Sequence, residues 1–355
     1  VVMSIEVVLN KTKVGANHPV YIIAELSGNH GGDYNKAIEI INKAKEAGAN
    51  AIKLQTYTAE TITLKTKKED FLLPKDSPWE ESKTLYQLYS EAFTPWEWHE
   101  GLFKEAKNLS LDIFSSPFDE TAVDFLENLN TPFYKIASPE IFDVGLIRKV
   151  AKTKKPVILS TGMANKDDIE LAITTLRHNG CDDIIVLKCN TAYPAPFSDL
   201  NLKTMSDYEL SFNVLGGVSD HTLGIEVPMA AAALGASVIE KHFVLSGDET
   251  VDSFFSLNET SFKDMITKIR NIELAIGKVD YEVSNESKKN SWARRSLYFY
   301  KNVKQGEKIK NTYKSVRPGY GLHPKYYEQI VNYIASKDIE IGDRVDWESI
   351  QKDEN

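Results

Sequence analysis

Short apolar runs alternate along the chain with longer segments in which apolar residues recur every three or four positions. The short runs stay apolar until their last two or three residues and span 20–26, 51–57, 112–117, 133–138, 156–162, 184–190, 214–220 and 238–243. The longer segments include 36–49, 121–129, 166–180, 228–236 and 261–277. The first pattern is typical of strands buried on both faces, and the second is typical of helices with one buried face.

Eight strands that alternate with helices predict an α/β fold, and the favoured architecture is a parallel (β/α)8 TIM barrel. A doubly wound open sheet is the alternative. A barrel would place its active site at the carboxyl ends of the strands. Each predicted strand ends in polar side chains, which are Glu25, Ser27, Lys53, Gln55, Ser115, Ser116, Lys135, Ser138, Ser160, Thr161, Asn190, Thr191, Ser219, Asp220, His221 and His242.

Lysines form part of this polar set. Lys53 and Lys135 stand at strand ends, and Lys188 and Lys241 are further candidates for the same end of the barrel. One strand-end lysine or serine is more often a turn or cap residue. Lysines collected beside hydroxyl groups predict a site for a phosphate or carboxylate, because ammonium groups neutralise the anion while hydroxyl groups donate hydrogen bonds. The chain contains neither GxxxxGK[ST] nor GxGxxG, so a small phosphorylated substrate is favoured over a nucleotide.

Two histidines stand at matching positions, at the ends of the seventh and eighth predicted strands. His221 lies in GVSDHTLG (217–224), and His242 lies in VIEKHF (238–243). An isolated histidine is more often a core or surface residue, but two on neighbouring strand ends can converge on one divalent cation. The sequence therefore predicts a metal site formed by these two residues, with water and substrate oxygens as the remaining ligands.

Composition narrows the class of protein further. The chain has 355 residues and a net charge of −9, which argues against nucleic acid as a partner because binding to the phosphate backbone needs a basic face. No apolar run approaches the roughly 18 residues of a membrane span, and VVMSIEVVLN lacks the pattern of a signal peptide, so a cytoplasmic protein is expected. Cys181 and Cys189 are expected to be reduced thiols.

Seven short motifs resemble, in order, those of the sialic acid synthase family. They are AELSGNH (24–30), IKLQTY (52–57), FSSPFD (114–119), YKIAS (134–138), LSTGM (159–163), GVSDHT (217–222) and EKHF (240–243). The family condenses phosphoenolpyruvate with an amino-sugar aldehyde to form nine-carbon keto acids. Within it, the segments 84–100 and 192–197 look most like those of pseudaminic acid synthases, which use 2,4-diacetamido-2,4,6-trideoxy-altrose. Sialic and legionaminic acid synthases are the alternatives.

The resemblance implies roles for individual residues. The implied substrate-binding residues are Lys53, Gln55, Ser116, Lys135, Ser138, Ser160, Thr191, Tyr193, Ser219, Asp252 and Arg317, and the implied catalytic residues are Glu25, His221 and His242. The two histidines would hold Mn²⁺, with Mg²⁺ or Co²⁺ as alternatives, and the metal would polarise the sugar aldehyde. Glu25 would transfer a proton or stabilise a cation, and phosphate would leave with C–O cleavage. At Thr191 the sequence departs from the asparagine that the family commonly carries.

The resemblance also implies how the chain is divided. It implies a barrel synthase domain with an N-terminal hairpin over 1–280, a polar linker over 281–293 and a small, β-rich antifreeze-like (SAF) domain over 294–355. In the family this last domain covers the barrel of a partner subunit, which implies a swapped homodimer. The product would be destined for a cell-surface glycan or flagellin.

Two other classes of function compete with the synthase interpretation. A metal-dependent barrel hydrolase would need an HxH pair at the end of the first strand, and AELSGNH offers only His30. An ice-binding protein would need flat arrays of threonine, whereas the C-terminal segment is rich in lysine, glutamate and aspartate.

Overall fold

The computed structural model describes residues 5–79 and 83–353. Contacts between Cα atoms divide the chain into two compact units, one ending at Gly277 and the other beginning at Lys278. The first unit begins with an antiparallel hairpin of β1 (Glu6–Leu9) and β2 (Thr12–Gly15).

Eight parallel strands form a barrel in the described part of the first unit. They are β3 (Tyr21–Glu25), β4 (Ala51–Thr56), β5 (Asp112–Pro117), β6 (Tyr134–Ile136), β7 (Val157–Ser160), β8 (Ile184–Cys189), β9 (Leu215–Asp220) and β10 (Val238–Val244). Each strand pairs with the next, and β10 pairs with both β9 and β3, so the sheet is closed. Closure confirms the predicted (β/α)8 barrel and excludes the open sheet. A short strand, β11 (Leu257–Asn258), pairs with the end of β10.

Helices follow the strands and cover the outside of the barrel. The described α-helices of this unit are α1 (Tyr34–Ala47), α2 (Ala59–Ile62), α3 (Leu85–Ala92), α4 (Trp96–Asn108), α5 (Glu120–Asn128), α6 (Val144–Ala151), α7 (Lys166–His178), α8 (Lys203–Phe212), α9 (Glu226–Ala233) and α10 (Glu259–Ile276). Short 3₁₀ helices span Glu69–Phe71, Pro139–Phe142, Phe197–Asp199 and Ser253–Phe255. The sequence pattern predicted α1, α5, α7, α9 and α10 to within one helical turn at each end.

Side-chain caps fix where several of these helices begin. Asp33 and Asp119 accept hydrogen bonds from backbone N–H groups in the first turns of α1 and α5. Asn165 and Asn258 do the same for α7 and α10. Such caps each contribute about 1 kcal/mol to stability. Asp33, Asp119 and Asn165 lie in loops that follow barrel strands, so they also fix the loops next to the polar strand ends, and Asn258 is the last residue of β11.

Apolar side chains fill the amino-terminal end of the barrel. Val7, Leu9 and Val14 of the hairpin belong to one buried cluster with Phe114 and Ile158 from the barrel interior. Each such side chain contributes about 1.5–3 kcal/mol when it is fully buried. This core closes one end of the barrel and leaves the carboxyl ends of the strands as the end available to a ligand.

The second unit is β-rich and has a core of its own. It contains α11 (Asn285–Lys289), 3₁₀ helices at Ser291–Ala293 and Pro324–Tyr326, and strands β12 (Ser296–Phe299), β13 (Tyr313–Val316), β14 (Tyr333–Ala335) and β15 (Ile350–Lys352). The strands form two antiparallel pairs, β12 with β13 and β14 with β15. The core includes Leu297, Phe299, Ile309, Tyr313 and Ile330. The assignment to an antifreeze-like domain stays a prediction.

The segment 281–293, which the sequence suggested as a linker, is exposed over nearly all of its length and contains the short helix α11. Within the described residues, no helix combines the length and the apolar character that a bilayer crossing requires.

Candidate active site

A cavity of about 410 Å³ opens at the carboxyl ends of the barrel strands, and this volume lies in the range of small-molecule sites. Each of the eight strands, or the loop directly after it, contributes to the lining. The lining residues are Ser27, Lys53, Gln55, Tyr57, Ile62, Trp79, Leu88, Tyr89, Ala92, Phe118, Lys135, Ala137, Ser138, Pro139, Glu140, Ser160, Cys189, Tyr193, Ser219, His221, Glu240, His242, Val251 and Asp252. The cavity therefore lies where the barrel fold predicts an active site.

Side-chain alternation decides which strand residues face the cavity. On β10, Glu240 and His242 line the cavity, whereas Lys241 between them does not, because successive side chains of a strand point to opposite faces. Lys241 is fully buried, and its Nζ lies 2.6 Å from Asp220 Oδ2. Lys188 is also absent from the lining. Neither lysine therefore belongs to the cationic group that the sequence suggested.

Four buried residues, Glu25, Lys53, Lys135 and Glu240, form a lysine–glutamate cluster, of which all but Glu25 line the cavity. Lys135 Nζ lies 2.9 Å from both carboxylate oxygens of Glu240. Lys53 Nζ lies 2.9 Å from Glu25 Oε2 and 3.2 Å from Glu240 Oε1. The Ser219 hydroxyl donates to Glu240 Oε1 at 3.0 Å. Because an unpaired buried charge is costly, this mutual pairing allows four ionisable groups to lie inside the barrel.

These contacts shift the pKa values of the cluster in opposite directions. Burial alone would raise the pKa of Glu240, but Lys135 and Lys53 outweigh it and hold the pKa of this carboxyl well below its usual value. Burial raises the pKa of Glu25 despite the opposing charge of Lys53, and the charge of Glu240 adds to that rise. Glu240 therefore stays ionised. Of the two glutamates in the cluster, Glu25 is the one better suited to carry a proton.

A chain of polar contacts connects the lysine–glutamate cluster to His242. Gln55 Nε2 donates to Glu25 Oε1 at 2.9 Å and to Ser27 Oγ at 3.1 Å. The Ser27 hydroxyl donates to Asp252, whose Oδ2 lies 3.6 Å from His242 Nδ1. Gln55 thus sits between the acid beside the lysines and the acid beside the histidine, and it fixes both.

The two histidines predicted as metal ligands face the cavity together, with ring centroids 5.3 Å apart. His221 Nδ1 lies 2.7 Å from the Asn190 carbonyl oxygen, so Nδ1 carries the proton and Nε2 keeps its lone pair. Metal-bound histidines commonly make this kind of hydrogen bond with the nitrogen that faces away from the metal. Burial lowers the pKa of His242, which favours its neutral form.

The chemistry of the two histidines decides whether this site suits a divalent cation. Burial would lower the pKa of His221, but its contacts with Cys189 and the Asn190 carbonyl outweigh burial and raise this pKa, so a cation would bind the deprotonated ring. Two deprotonated imidazoles that face one cavity are suitable donors for such an ion, so the residues fit. Across 5–79 and 83–353, no three or more His, Cys, Asp and Glu side chains are grouped in a way that could hold a metal. Water or substrate oxygens would have to complete the coordination.

Buried hydroxyl groups with unused hydrogen-bonding capacity lie at the same end of the barrel. Ser160 lines the cavity, and its Oγ makes no hydrogen bond to the described residues. Ser138 Oγ accepts from the Gly162 N–H at 2.9 Å. Ser116 Oγ is buried without a partner in the described residues but lies outside the lining. A buried hydroxyl without a partner is costly, so the Ser160 hydroxyl is best explained by a ligand that bonds to it.

The remaining predicted residues occupy different places. Tyr193 lines the cavity, with its ring centroid 4.4 Å from that of His221 and 5.7 Å from that of Trp79. Thr191 is half-buried outside the lining, and Arg317 is exposed in the second unit. The predicted residues that line the cavity are Lys53, Gln55, Lys135, Ser138, Ser160, Tyr193, Ser219, His221, His242 and Asp252.

The lining residues that were not selected from the sequence as site residues include Trp79, Glu140, Cys189 and Glu240. Glu240 could have been found, because it stands two positions before His242 on one strand and therefore shares its face. Glu140 lies in the 3₁₀ helix after β6, where no periodicity indicates which way a side chain points.

Glu140 is a buried acid with one unused oxygen. Its Oε2 has no hydrogen-bond partner in the described residues, and burial, with a smaller contribution from Asp143, raises its pKa to about 7. The protonated carboxyl is therefore the form that this site favours below about pH 7.

Replacing Glu140 with glutamine is expected to change how stability depends on pH. The folded state holds the Glu140 proton up to about pH 7 and the unfolded chain loses it near 4.5, so the wild-type protein loses stability as pH rises between these values. Glutamine stays neutral throughout. Glu140→Gln should therefore raise the unfolding midpoint of the barrel by roughly 4 °C more at pH 8 than at pH 4.5. Thermal scans at both pH values test this, with exposed Glu209→Gln as the control. An equal shift at both pH values would contradict the assignment.

Comparison with known proteins connects this cavity to an enzyme family. A sequence model described as the NeuB family matches residues 40–281. A pseudaminic acid synthase of Campylobacter jejuni is 45% identical over 326 residues, which cover 91% of this chain and 94% of that protein. A pseudaminic acid synthase of Helicobacter pylori is 42% identical over 337 residues, which cover 94% of this chain and 98% of that protein.

A solved structure shares the fold. The crystal structure of N-acetylneuraminic acid (sialic acid) synthetase from Leptospira borgpetersenii, in complex with citrate, matches with a TM-score of 0.70 and 30% identity. The match covers 81% of this chain and 95% of that chain. Sequence and structure comparisons therefore agree over most of the length of the protein.

Proposed function

Because the chain belongs to the NeuB family, we propose that it is a pseudaminic acid synthase, a transferase that condenses phosphoenolpyruvate with 2,4-diacetamido-2,4,6-trideoxy-altrose. The 45% and 42% identities to two such enzymes support this acceptor. The observation that carries the proposal is the pair of lysines, Lys53 and Lys135, beside hydroxyl groups in a cavity that two histidines also face.

Phosphoenolpyruvate would bind at the inner end of the cavity. Lys53 and Lys135 would neutralise its phosphate and carboxylate, since both ammonium groups line the cavity. Ser138 and Ser160 would donate hydrogen bonds to its oxygens, and Ser219 would do so after its hydroxyl leaves Glu240. Ser116 and Thr191, which lie outside the lining, would contribute only after a local adjustment.

His221 and His242 would hold the divalent cation, with Mn²⁺ as the proposed ion and Mg²⁺ or Co²⁺ as alternatives. When bound, a cation at this position supplies Lewis-acid polarisation of the sugar aldehyde. The neutral imidazole of His242 is suited to this role because burial disfavours its charged form. Asp252 and Tyr193 would bind the open-chain sugar beside the histidines, where both line the cavity.

The reaction forms one C–C bond and one C–O bond and breaks one C–O bond. The enol carbon C3 of phosphoenolpyruvate attacks the aldehyde carbon, whose oxygen gains a proton and becomes a hydroxyl, and water adds to the cationic C2 that results. C2 then loses phosphate and becomes the keto carbon. Of the two protons that the water gives up, one balances the proton gained by the aldehyde oxygen, and the other must be taken up. Glu25 is the proposed group for this proton or for stabilising the cation, because it contacts both Lys53 and Gln55 and its pKa is raised by burial.

Three further features are proposed from the family resemblance. The segment 294–355 would be an antifreeze-like domain, with 281–293 as its linker to a barrel domain of 1–280. The enzyme would be a swapped homodimer, and Arg317 of one protomer would complete the acceptor site of the other. The reaction would take place in the cytoplasm, and its product would enter a cell-surface or flagellin glycan.

A phosphate-release screen tests the proposed reaction. The purified chain with Mn²⁺ and phosphoenolpyruvate should release phosphate with the trideoxy-altrose acceptor at least tenfold faster than with the legionaminic or sialic acid precursor sugars. Chelation should stop the release, and added Mn²⁺ should restore it. Faster release with either other sugar would reassign the acceptor, and release without any sugar would overturn the synthase assignment.

An isotope label tests which bond breaks. Phosphoenolpyruvate that carries ¹⁸O in the bridge between C2 and phosphorus should transfer the label to inorganic phosphate if the C–O bond is cleaved. Recovery of the label in the keto acid would show P–O cleavage and would contradict the proposed chemistry. The same reaction with unlabelled substrate in ¹⁸O water is the control, and it should label the keto acid.

A further inference from the structure

The cavity lining has two chemically different parts. The lysine–glutamate cluster and the histidines lie on or directly after barrel strands, and a second part of the lining comes from the segment between β4 and α4. The described residues of that segment in the lining are Tyr57, Ile62, Trp79, Leu88, Tyr89 and Ala92. None of them is charged. Ile62, Leu88 and Ala92, which we call the apolar wall, offer only C–H groups to a ligand.

The apolar wall belongs to ordered helices. Ile62 is the last residue of α2, and Leu88 and Ala92 lie one turn apart on α3. Thr84 begins α3 with a reciprocal cap, in which its Oγ1 accepts from the Gln87 N–H at 3.2 Å and its own N–H donates to Gln87 Oε1 at 2.9 Å. The caps of α3 thus hold two wall residues at fixed positions.

A second set of contacts connects the wall to the rest of the cavity. On the outside of the two helices, the Tyr86 hydroxyl donates to Glu60 and joins α3 to α2. On the inside, Trp79 Nε1 donates to the Val251 carbonyl at 3.2 Å, so this N–H is not available to a substrate. The Trp79 ring is a further apolar surface in the cavity lining, with its centroid 5.7 Å from that of Tyr193.

The proposed reaction determines how the acceptor sugar is oriented in the cavity. The aldehyde carbon C1 of the sugar must meet phosphoenolpyruvate beside the lysines and histidines. The other end of the sugar, C6, therefore extends away from the strands. In the acceptor of the proposed function C6 is a methyl group, whereas in ordinary hexoses it carries a hydroxyl. Burying a methyl group against C–H groups favours binding of the sugar. A hydroxyl in the same place would disfavour binding, because it would lose its hydrogen bonds to water without replacement.

We infer that the apolar wall of Ile62, Leu88 and Ala92 receives the C6 methyl group of the acceptor and selects 6-deoxy sugars over 6-hydroxy sugars. This inference rests on the proposed function and adds the residues that determine its specificity. An apolar pocket rejects an added hydroxyl by about a hundredfold, which sets the expected preference of the wild-type enzyme.

The test compares three acceptors in the full chain and in Leu88→Asn. The acceptors are 2,4-diacetamido-2,4,6-trideoxy-altrose, its 6-hydroxy counterpart, and a sugar that keeps the C6 methyl but has a free amine at C4. Asparagine is close to leucine in size and can pair with a C6 hydroxyl. Leu88→Asn should reduce the hundredfold preference in kcat/KM for the methyl sugar to about tenfold or less, while the KM for phosphoenolpyruvate stays within about twofold.

The control is Leu210→Asn, the same change at a leucine on α8 that is 87% exposed, and it should keep the wild-type preference. If Leu88→Asn does not fold, Ala92→Ser adds one hydroxyl to the same wall and is assessed in the same way.

Three outcomes would overturn the inference. They are an unchanged preference in a folded wall variant, a wild-type enzyme that uses both C6 forms equally, and a change confined to the C4-amine sugar, which would place an acetamido group on the wall. A wild-type enzyme that turns over none of the sugars with phosphoenolpyruvate would contradict the proposed function instead.

Discussion

Replacing Lys135 with methionine is expected to lower kcat/KM for phosphoenolpyruvate by about a thousandfold. The variant would lose charge-assisted hydrogen bonds to the substrate, each contributing about 1.5–3 kcal/mol. It would also leave Glu240 without the ammonium group that lies 2.9 Å from both of its oxygens, so this carboxylate would repel the incoming anion. Two hydrogen bonds of this kind amount to about 3–6 kcal/mol. Because each 1.4 kcal/mol is a factor of ten, the middle of this range corresponds to about a thousandfold.

Lys241→Met is the control for Lys135→Met, and it distinguishes a loss of substrate binding from a loss of stability. Lys241 is a buried lysine with a carboxylate partner at 2.6 Å, but it does not line the cavity. Its loss should cost about 3–5 kcal/mol of stability, because Asp220 would remain buried and unpaired. The KM for phosphoenolpyruvate should stay near that of the wild type. If this variant does not fold, Lys155→Met, which breaks a partly exposed pair with Glu127, replaces it.

Two measurements decide the result for Lys135→Met. Steady-state kinetics give the KM for each substrate, and a thermal shift with phosphoenolpyruvate reports binding without turnover. A Lys135→Met enzyme whose KM for phosphoenolpyruvate stays within threefold of the wild type would refute the binding role. An equal loss in Lys241→Met would indicate a general structural effect.

Replacing His242 with alanine should abolish Mn²⁺ binding and lower the activity by at least about a thousandfold. The reason is that two imidazoles are the only protein ligands proposed for the ion, and one imidazole would retain it weakly. The ring of His242 packs against Phe255 with centroids 4.7 Å apart, so a modest loss of stability is also expected. Isothermal titration with Mn²⁺ measures the binding directly and does not depend on turnover.

His99→Gln is the matched control for His242→Ala. His99 is fully buried and contacts Thr56 Oγ1 at 2.9 Å, but it lies outside the lining. This variant should lose some stability and keep Mn²⁺ affinity. Wild-type Mn²⁺ affinity in a folded His242→Ala protein would exclude His242 as a ligand.

The barrel could be predicted because two local signals agree. Strand runs stay apolar until their ends, and helices carry a buried stripe, so the order of elements follows from periodicity alone. The strand ends then gave Lys53, Lys135, His221 and His242, all of which line the cavity. The strands of the second unit could not be predicted in this way, because they are short and their hydrophobic periodicity is weaker.

The lysine–glutamate pairing could not be predicted in the same way. A carboxylate such as Glu240 inside an apolar run has no local partner to explain it, and its two lysines come from strands that are distant in sequence. The apolar wall was missed for a related reason. Leucine and isoleucine in the segment after β4 look like ordinary core residues, and only the folded barrel shows that they line the same cavity as the charged residues.

The lysine–glutamate cluster has a consequence for the order in which ligands bind. When all four residues are ionised, the two lysines and two glutamates of the cluster have a formal charge of zero, and each lysine is paired with a glutamate. Phosphoenolpyruvate, a trianion at most, then brings an excess of negative charge that a divalent cation largely offsets. The two affinities are therefore linked, and each ligand must raise the affinity for the other by the same factor. An enzyme saturated with phosphoenolpyruvate should accordingly hold its cation more tightly than the empty enzyme does.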